Sequence, residues 1–115
     1  MSFFLTTEQI RRREKTVTRR LGWQRAKAGE IVQPILKGQG LKAGERVEKI
    51  GGPIRFVKVS REVLSSMPLE DCAREGFPQM TPAEFVSMFV GHNSGCNRRT
   101  IVTRIEFEYV EGAEA

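Results

Sequence analysis

The sequence predicts an α+β fold, a small curved sheet or β-barrel with flanking short helices. Three observations carry the prediction. Capped helical openings stand near the start and again just after residue 80. Between them lie β-branched runs punctuated by glycine, and the chain closes on TIVTRIEFEYV, where apolar and polar residues alternate. With 115 residues the chain is expected to form a single domain over residues 1–110, with EGAEA at 111–115 as a flexible tail.

Taken in order, Thr6-Thr7-Glu8-Gln9 has capping-box spacing, so a helix is expected from there to about Glu14, with Ile10 inward and the arginines outward. TVT then switches to β-branched residues, which favour extended backbone. GEIVQPILKG reads as a strand whose Pro34 cannot donate a ladder hydrogen bond, which places it at an edge or bulge. GQGLKAGERVEKIGGP is a glycine-rich connection, a hairpin with Arg46–Ile50 on its return arm. IRFVKVSREV is strand-like, but its apolar set slips phase between Phe56 and Val57, as a bulge would require.

Pro68 to Glu75 reads as a short helix closed by Gly76. Thr81-Pro82-Ala83-Glu84 combines a cap, a proline in the first turn and a glutamate three residues after the cap. Phe85, Met88 and Phe89 follow at helical spacing and read as core. In the last strand Ile101, Thr103, Ile105, Phe107 and Tyr109 share one face, opposite Arg104, Glu106 and Glu108. The count comes to about five strands, with no internal repeat.

Composition narrows the function classes. The content is 39% hydrophobic and 29% charged, which suits a soluble globular protein. The longest apolar run, FVSMFV, is far too short for a membrane span of roughly 20 residues. No secretory leader is evident, and two cysteines make no disulfide framework, so a cytoplasmic protein with reduced thiols and no membrane partner is expected. Residues 10–27 carry eight cations against Glu14 alone, a local charge of +7, whereas the rest of the chain sums to −2. A basic segment on a near-neutral body points to an anionic partner, RNA among them, or else to a solvated face.

Cys72, His92 and Cys96 lack the paired spacing of a zinc site, so neither a metal nor another cofactor is expected. GQG at 38–40 lacks the remainder of a nucleotide-binding fingerprint. EKTVTRR at 14–20 is the segment with chemical content. A threonine hydroxyl needs a base to become a nucleophile, and a lysine can serve when burial or neighbouring cations destabilise its ammonium. Lys15 and Thr18 are such a pair, with Arg19 and Arg20 as the cations. Residues three apart on a straight strand face opposite ways, so sharing a pocket requires a turn at Glu14–Lys15 or a lysine that folds around. Without further context the same residues also fit a surface hydrogen-bond network.

The order of a helix, KTVTRR at 15–20, a strand opening on Gly29-Glu30-Ile31-Val32, AREGF and TPAEF at 73–85, and an alternating last strand resembles the ASCH domain of the PUA-like superfamily. The resemblance spans about residues 3–110. It implies a small β-barrel with flanking helices and a cleft suited to RNA or a nucleoside. Within that family a group of small bacterial proteins hydrolyses the amide of N4-acetylcytidine with a lysine, a threonine three residues on, and a later glutamate. Lys15 and Thr18 match the first two; the glutamate falls on Glu75, with Glu70 and Glu84 nearby. The resemblance further implies Arg19 or Arg20 on the pyrimidine carbonyl or the oxyanion, with Trp23 available to stack a base. One departure is that a glycine commonly stands where this chain has Arg13. The expected function is thus amide hydrolysis on an N4-acylated cytosine nucleoside, a small-molecule modified nucleoside. A non-catalytic RNA-binding module and a ribonuclease are the alternatives.

Overall fold

The computed structural model describes residues 1–37 and 46–110. The middle of the glycine-rich connection and the expected tail at 111–115 lie outside the described residues. A single 3-10 turn at Phe4–Thr6 leads into α1 (Thr7–Arg11), followed by β1 (Val17–Arg20), β2 (Ile31–Val32) and β3 (Ile54–Val63). A second 3-10 turn at Leu64–Ser66 precedes α2 (Leu69–Arg74), α3 (Pro82–His92) and β4 (Ile101–Tyr109). The four strands form one curled antiparallel sheet, a half-barrel, in the order β1-β4-β3-β2. The α+β class with a small curved sheet and short helices is therefore the observed one. No helix among the described residues is long and apolar enough to cross a membrane.

Strand β3 slips register between Phe56 and Lys58, so the phase shift read from IRFVKVSREV is a β-bulge. The bulge turns Val57 outward while Ile54 and Phe56 stay buried. Strand β4 lies between β1 and β3 and uses both of its faces. Ile105 and Phe107 join Phe3, Ile10, Ile50, Ile54 and Phe56 in one cluster; Val102 joins Leu64, Met67, Cys72, Phe85 and Phe89 in a second, beneath α3. Burying side chains of this size contributes about 1.5–3 kcal/mol each before entropy is charged against it. The expected alternation holds at Thr103, Ile105 and Phe107, whereas Ile101 at the strand's start is exposed.

Three local expectations are corrected. The capping box at Thr6–Gln9 does not form: Thr6 precedes α1 without a side-chain cap, and Gln9 Nε2 instead donates to the Gly76 carbonyl at 3.1 Å. Helix α1 stops at Arg11 rather than Glu14, because Arg13 takes a left-handed conformation with φ of 58°. Among the described residues there are four strands rather than about five. GEIVQPILKG supplies only Ile31–Val32 at the sheet edge before Pro34 interrupts it, and Ile35 then makes isolated bridges to Ser2 and Lys49. The Thr81 capping box is complete, with Glu84 N donating to Thr81 Oγ1 at 3.2 Å and Thr81 N to Glu84 Oε1 at 2.9 Å.

Candidate active site

The turn between α1 and β1 sets up the site. Arg13 adopts a left-handed backbone, φ of 58°, of the kind that a glycine would favour. Its guanidinium lies 5.7 Å from the centre of the Tyr109 ring. Glu14 N donates to the Gln9 carbonyl at 2.9 Å, which reverses the chain. Thr16 is then gripped from two sides: its N–H donates to the Arg74 carbonyl at 2.8 Å, and its carbonyl accepts from Phe107 N at 2.9 Å. Lys15 thus lies ahead of β1, in the turn, and strand alternation does not oppose it to Thr18. Both side chains line the same cleft, of about 510 Å³.

Glu75 caps the C-terminal end of α2, where the last carbonyls lack intrahelical partners. Lys15 Nζ donates to the Glu75 backbone carbonyl at 2.7 Å and to its Oε1 at 2.8 Å. One lysine therefore satisfies the helix end and the carboxylate together. Gly76 follows with φ of 102°, and a Cβ there would stand 2.8 Å from Gln9 Cγ. The Gln9–Gly76 contact holds the start of the chain against the turn that carries Glu75.

Lys15, Thr18 and Glu75 are 3%, 3% and 2% exposed, so the Lys15–Glu75 pairing expected of a hydrogen-bond network forms inside the protein rather than on its surface. Burial pushes the Lys15 ammonium below its ordinary 10.5; Glu75 opposes that shift, while Arg20 and Arg19 reinforce it. The alternatives to Glu75 lie elsewhere: Glu70 is exposed, and Glu84 is exposed in the α3 capping box.

Arg19 and Arg20 are adjacent in sequence but differently engaged. Arg19 donates from Nε to Glu62 at 2.7 Å, from one terminal nitrogen to Glu75 Oε2 at 3.0 Å, and from the other to Asp71. Its guanidinium is fully enclosed and holds the second Glu75 oxygen, which leaves the first to Lys15. Asp71 also accepts from Arg104 Nε at 2.9 Å. Burial raises the Asp71 carboxyl, but the hydrogen bonds from Arg104 and Arg19 outweigh it and hold the group down at about 2. Arg20 Nε donates to Thr18 Oγ1 at 3.0 Å, and its guanidinium sits 4.6 Å above the Phe3 ring. Burial brings Arg20 down to about 10, so it stays cationic at neutral pH.

Trp23 lines the cleft and is 38% exposed, with its ring edge-on to Phe56 at 6.4 Å. Phe4 and Leu5, both exposed, also line the cleft. Sequence reasoning missed several supports. Tyr109 Oη donates to the Lys15 carbonyl at 2.6 Å, and Asp71, Glu62 and Arg104 complete the network around Arg19. The register Thr18↔Ile105 and Arg19↔Arg104 follows only from strand pairing. An aspartate on a short helix gives no sequence signal of such a role.

The residues weighed as metal ligands are spread apart. Cys72 is buried in the cluster under α3, Cys96 Sγ donates to the Asn93 carbonyl at 3.1 Å, and His92 is exposed on the cleft wall. Among the described residues no three His, Cys, Asp or Glu side chains converge as a metal site. Comparisons of the chain with protein-family models, with curated proteins and with solved structures find no match.

Proposed function

We propose that the protein is an ASCH-like amidohydrolase that removes the acyl group from N4-acylated cytosine nucleosides. The observation that carries the reading is a buried lysine, held by Glu75, on the wall of a cleft that Thr18 also lines. A neutral lysine amine has two N–H groups and one lone pair. The two contacts to Glu75 use the N–H groups. Lys15 and Thr18 share the cleft without a hydrogen bond between them, and in the proposed reaction the remaining lone pair takes the Thr18 proton once substrate is seated. Thr18 Oγ1 already accepts from Arg20, so its own proton is available to leave.

The proposed sequence is balanced in protons. Lys15 takes the Thr18 proton while Thr18 Oγ1 attacks the acyl carbonyl. Lys15 passes that proton to Glu75 across the 2.8 Å contact. Glu75 delivers it to N4 as the C–N bond breaks, so cytidine leaves with its amine restored. Water, deprotonated by Lys15, then attacks the acyl-threonine; the acid departs, and Thr18 recovers its proton by way of Lys15. Arg20 is placed to steady the oxyanion, a contribution of roughly 3 kcal/mol where such donors have been removed.

The test follows the ultraviolet band of N4-acetylcytidine with wild-type protein and with Lys15→Ala, Thr18→Ala and Glu75→Ala. Wild-type turnover that falls by at least about a hundredfold in each variant is the expected outcome. Inert wild-type protein removes the reading. The RNA-binding alternative rests on a separate observation, that Arg11, Arg12, Arg13, Arg25 and Lys27 are exposed. RNA affinity that falls steeply with salt, without turnover, would favour it.

A further inference from the structure

Two of the three cations on the cleft wall are neutralised: Lys15 by Glu75, and Arg19 by Glu62, Asp71 and Glu75. Arg20 is not. Among the described residues no carboxylate pairs with it, and its only hydrogen bond is the one from Nε to Thr18 Oγ1. Phe3 covers a face of the guanidinium, so its two terminal nitrogens are what remains to meet a ligand. Glu75 attracts Arg20 through space without a direct ion pair, and burial still outweighs that attraction, so the half-buried cation carries a desolvation cost that an anionic ligand group would offset.

We propose that Arg20 is the specificity residue of this cleft and selects acyl groups that bear their own carboxylate, such as N4-succinyl or N4-malonyl amides. The inference rests on the amidohydrolase reading for the position of the scissile bond. Reach decides the kind of anion. The terminal nitrogens of Arg20 lie one guanidinium width beyond a nitrogen that touches Thr18 Oγ1. A group bound there sits within a few bonds of the attacked carbonyl, where the free end of a dicarboxylic acyl chain falls. A 5′-phosphate is separated from N4 by the whole pyrimidine and the ribose, and does not reach. Chemistry decides the rest: an oxyanion can be met by a single N–H, whereas a planar guanidinium with paired donors matches a carboxylate in two-point contact. A cleft of about 510 Å³ leaves room for the longer acyl chain.

The experiment compares kcat/KM for N4-succinylcytidine and N4-acetylcytidine at neutral pH in wild type, Arg20→Gln and Arg20→Lys. Wild type is expected to prefer the succinyl substrate by at least about tenfold, with the ratio falling to about one in Arg20→Gln. Arg20→Lys keeps the charge without the fork and should retain only part of the preference, and it serves if Arg20→Gln fails to fold. A wild-type ratio of one or below overturns the inference, as does an equal proportional loss on both substrates in Arg20→Gln. If neither substrate turns over, binding separates the two ideas, because Trp23 is the chain's single tryptophan and its fluorescence reports the cleft. Tighter binding of N4-succinylcytidine that Arg20→Gln abolishes keeps the assignment of Arg20 while amide hydrolysis falls. Equal binding of the two compounds overturns the assignment as well.

Discussion

Lys15 shows how one side chain can hold two opposed demands. Burial favours the neutral amine, and the contact with Glu75 favours the ammonium. The net shift is downward, so a usable fraction of amine exists below the ordinary lysine range. If Lys15 is the base, kcat/KM for N4-acetylcytidine should rise with pH as the ammonium loses its proton and level off below 10.5. A pH–rate profile checks this, and a limb that keeps climbing past 10.5 would assign the base elsewhere. Arg19, one strand position beyond Thr18, plays a contrasting part. With three carboxylates around it, it orients Glu75 rather than meeting a ligand.

At the scale of elements, the site depends on how α1 is tied to the end of α2. Gly76 is left-handed at φ of 102°, and Gln9 packs where a side chain would stand. Gly76→Ala should therefore destabilise twice over, through backbone strain and through the collision with Gln9, by more than about 1 kcal/mol in urea unfolding. A double-mutant cycle separates the causes. In a Gln9→Ala background the Gly76→Ala cost should shrink to the backbone part alone. Equal costs in the two backgrounds would mean that the packing against Gln9 contributes nothing. The same contact accounts for the missing capping box, since Gln9 cannot serve both the start of its own helix and the Gly76 carbonyl.

Across the whole molecule, Asp71 joins the helices to the sheet: it belongs to α2 and accepts from Arg19 on β1 and Arg104 on β4. Its carboxyl lies at about 2 in the folded protein, against an ordinary 3.8. A depressed carboxylate stabilises the fold above its ordinary pKa, and the contribution is lost as pH falls through the folded value. About 2 kcal/mol should disappear between pH 4 and pH 2. Asp71→Asn should be less stable at pH 7 and should lose less on acidification, as urea midpoints across that window would read. A variant with the same acid sensitivity as wild type would remove Asp71 from the account.

The sequence by itself determined several of the local elements. The Thr81 box, the glycine that closes α2, the β3 bulge and the buried face of β4 from Thr103 to Phe107 all depend on neighbours within a few residues, and each was legible. KTVTRR was legible as a lysine, a hydroxyl and two cations in one short segment for the same reason, since the residue types stand side by side. Only the tertiary structure decided that Glu75, and not Glu70 or Glu84, meets Lys15, because that choice joins positions 60 residues apart through the end of a helix. It also gave two adjacent arginines different partners. Arg19 and Arg20 are chemically identical in sequence, and what separates them is which face of β1 meets the carboxylates of Glu62, Asp71 and Glu75 and which meets Thr18 and Phe3.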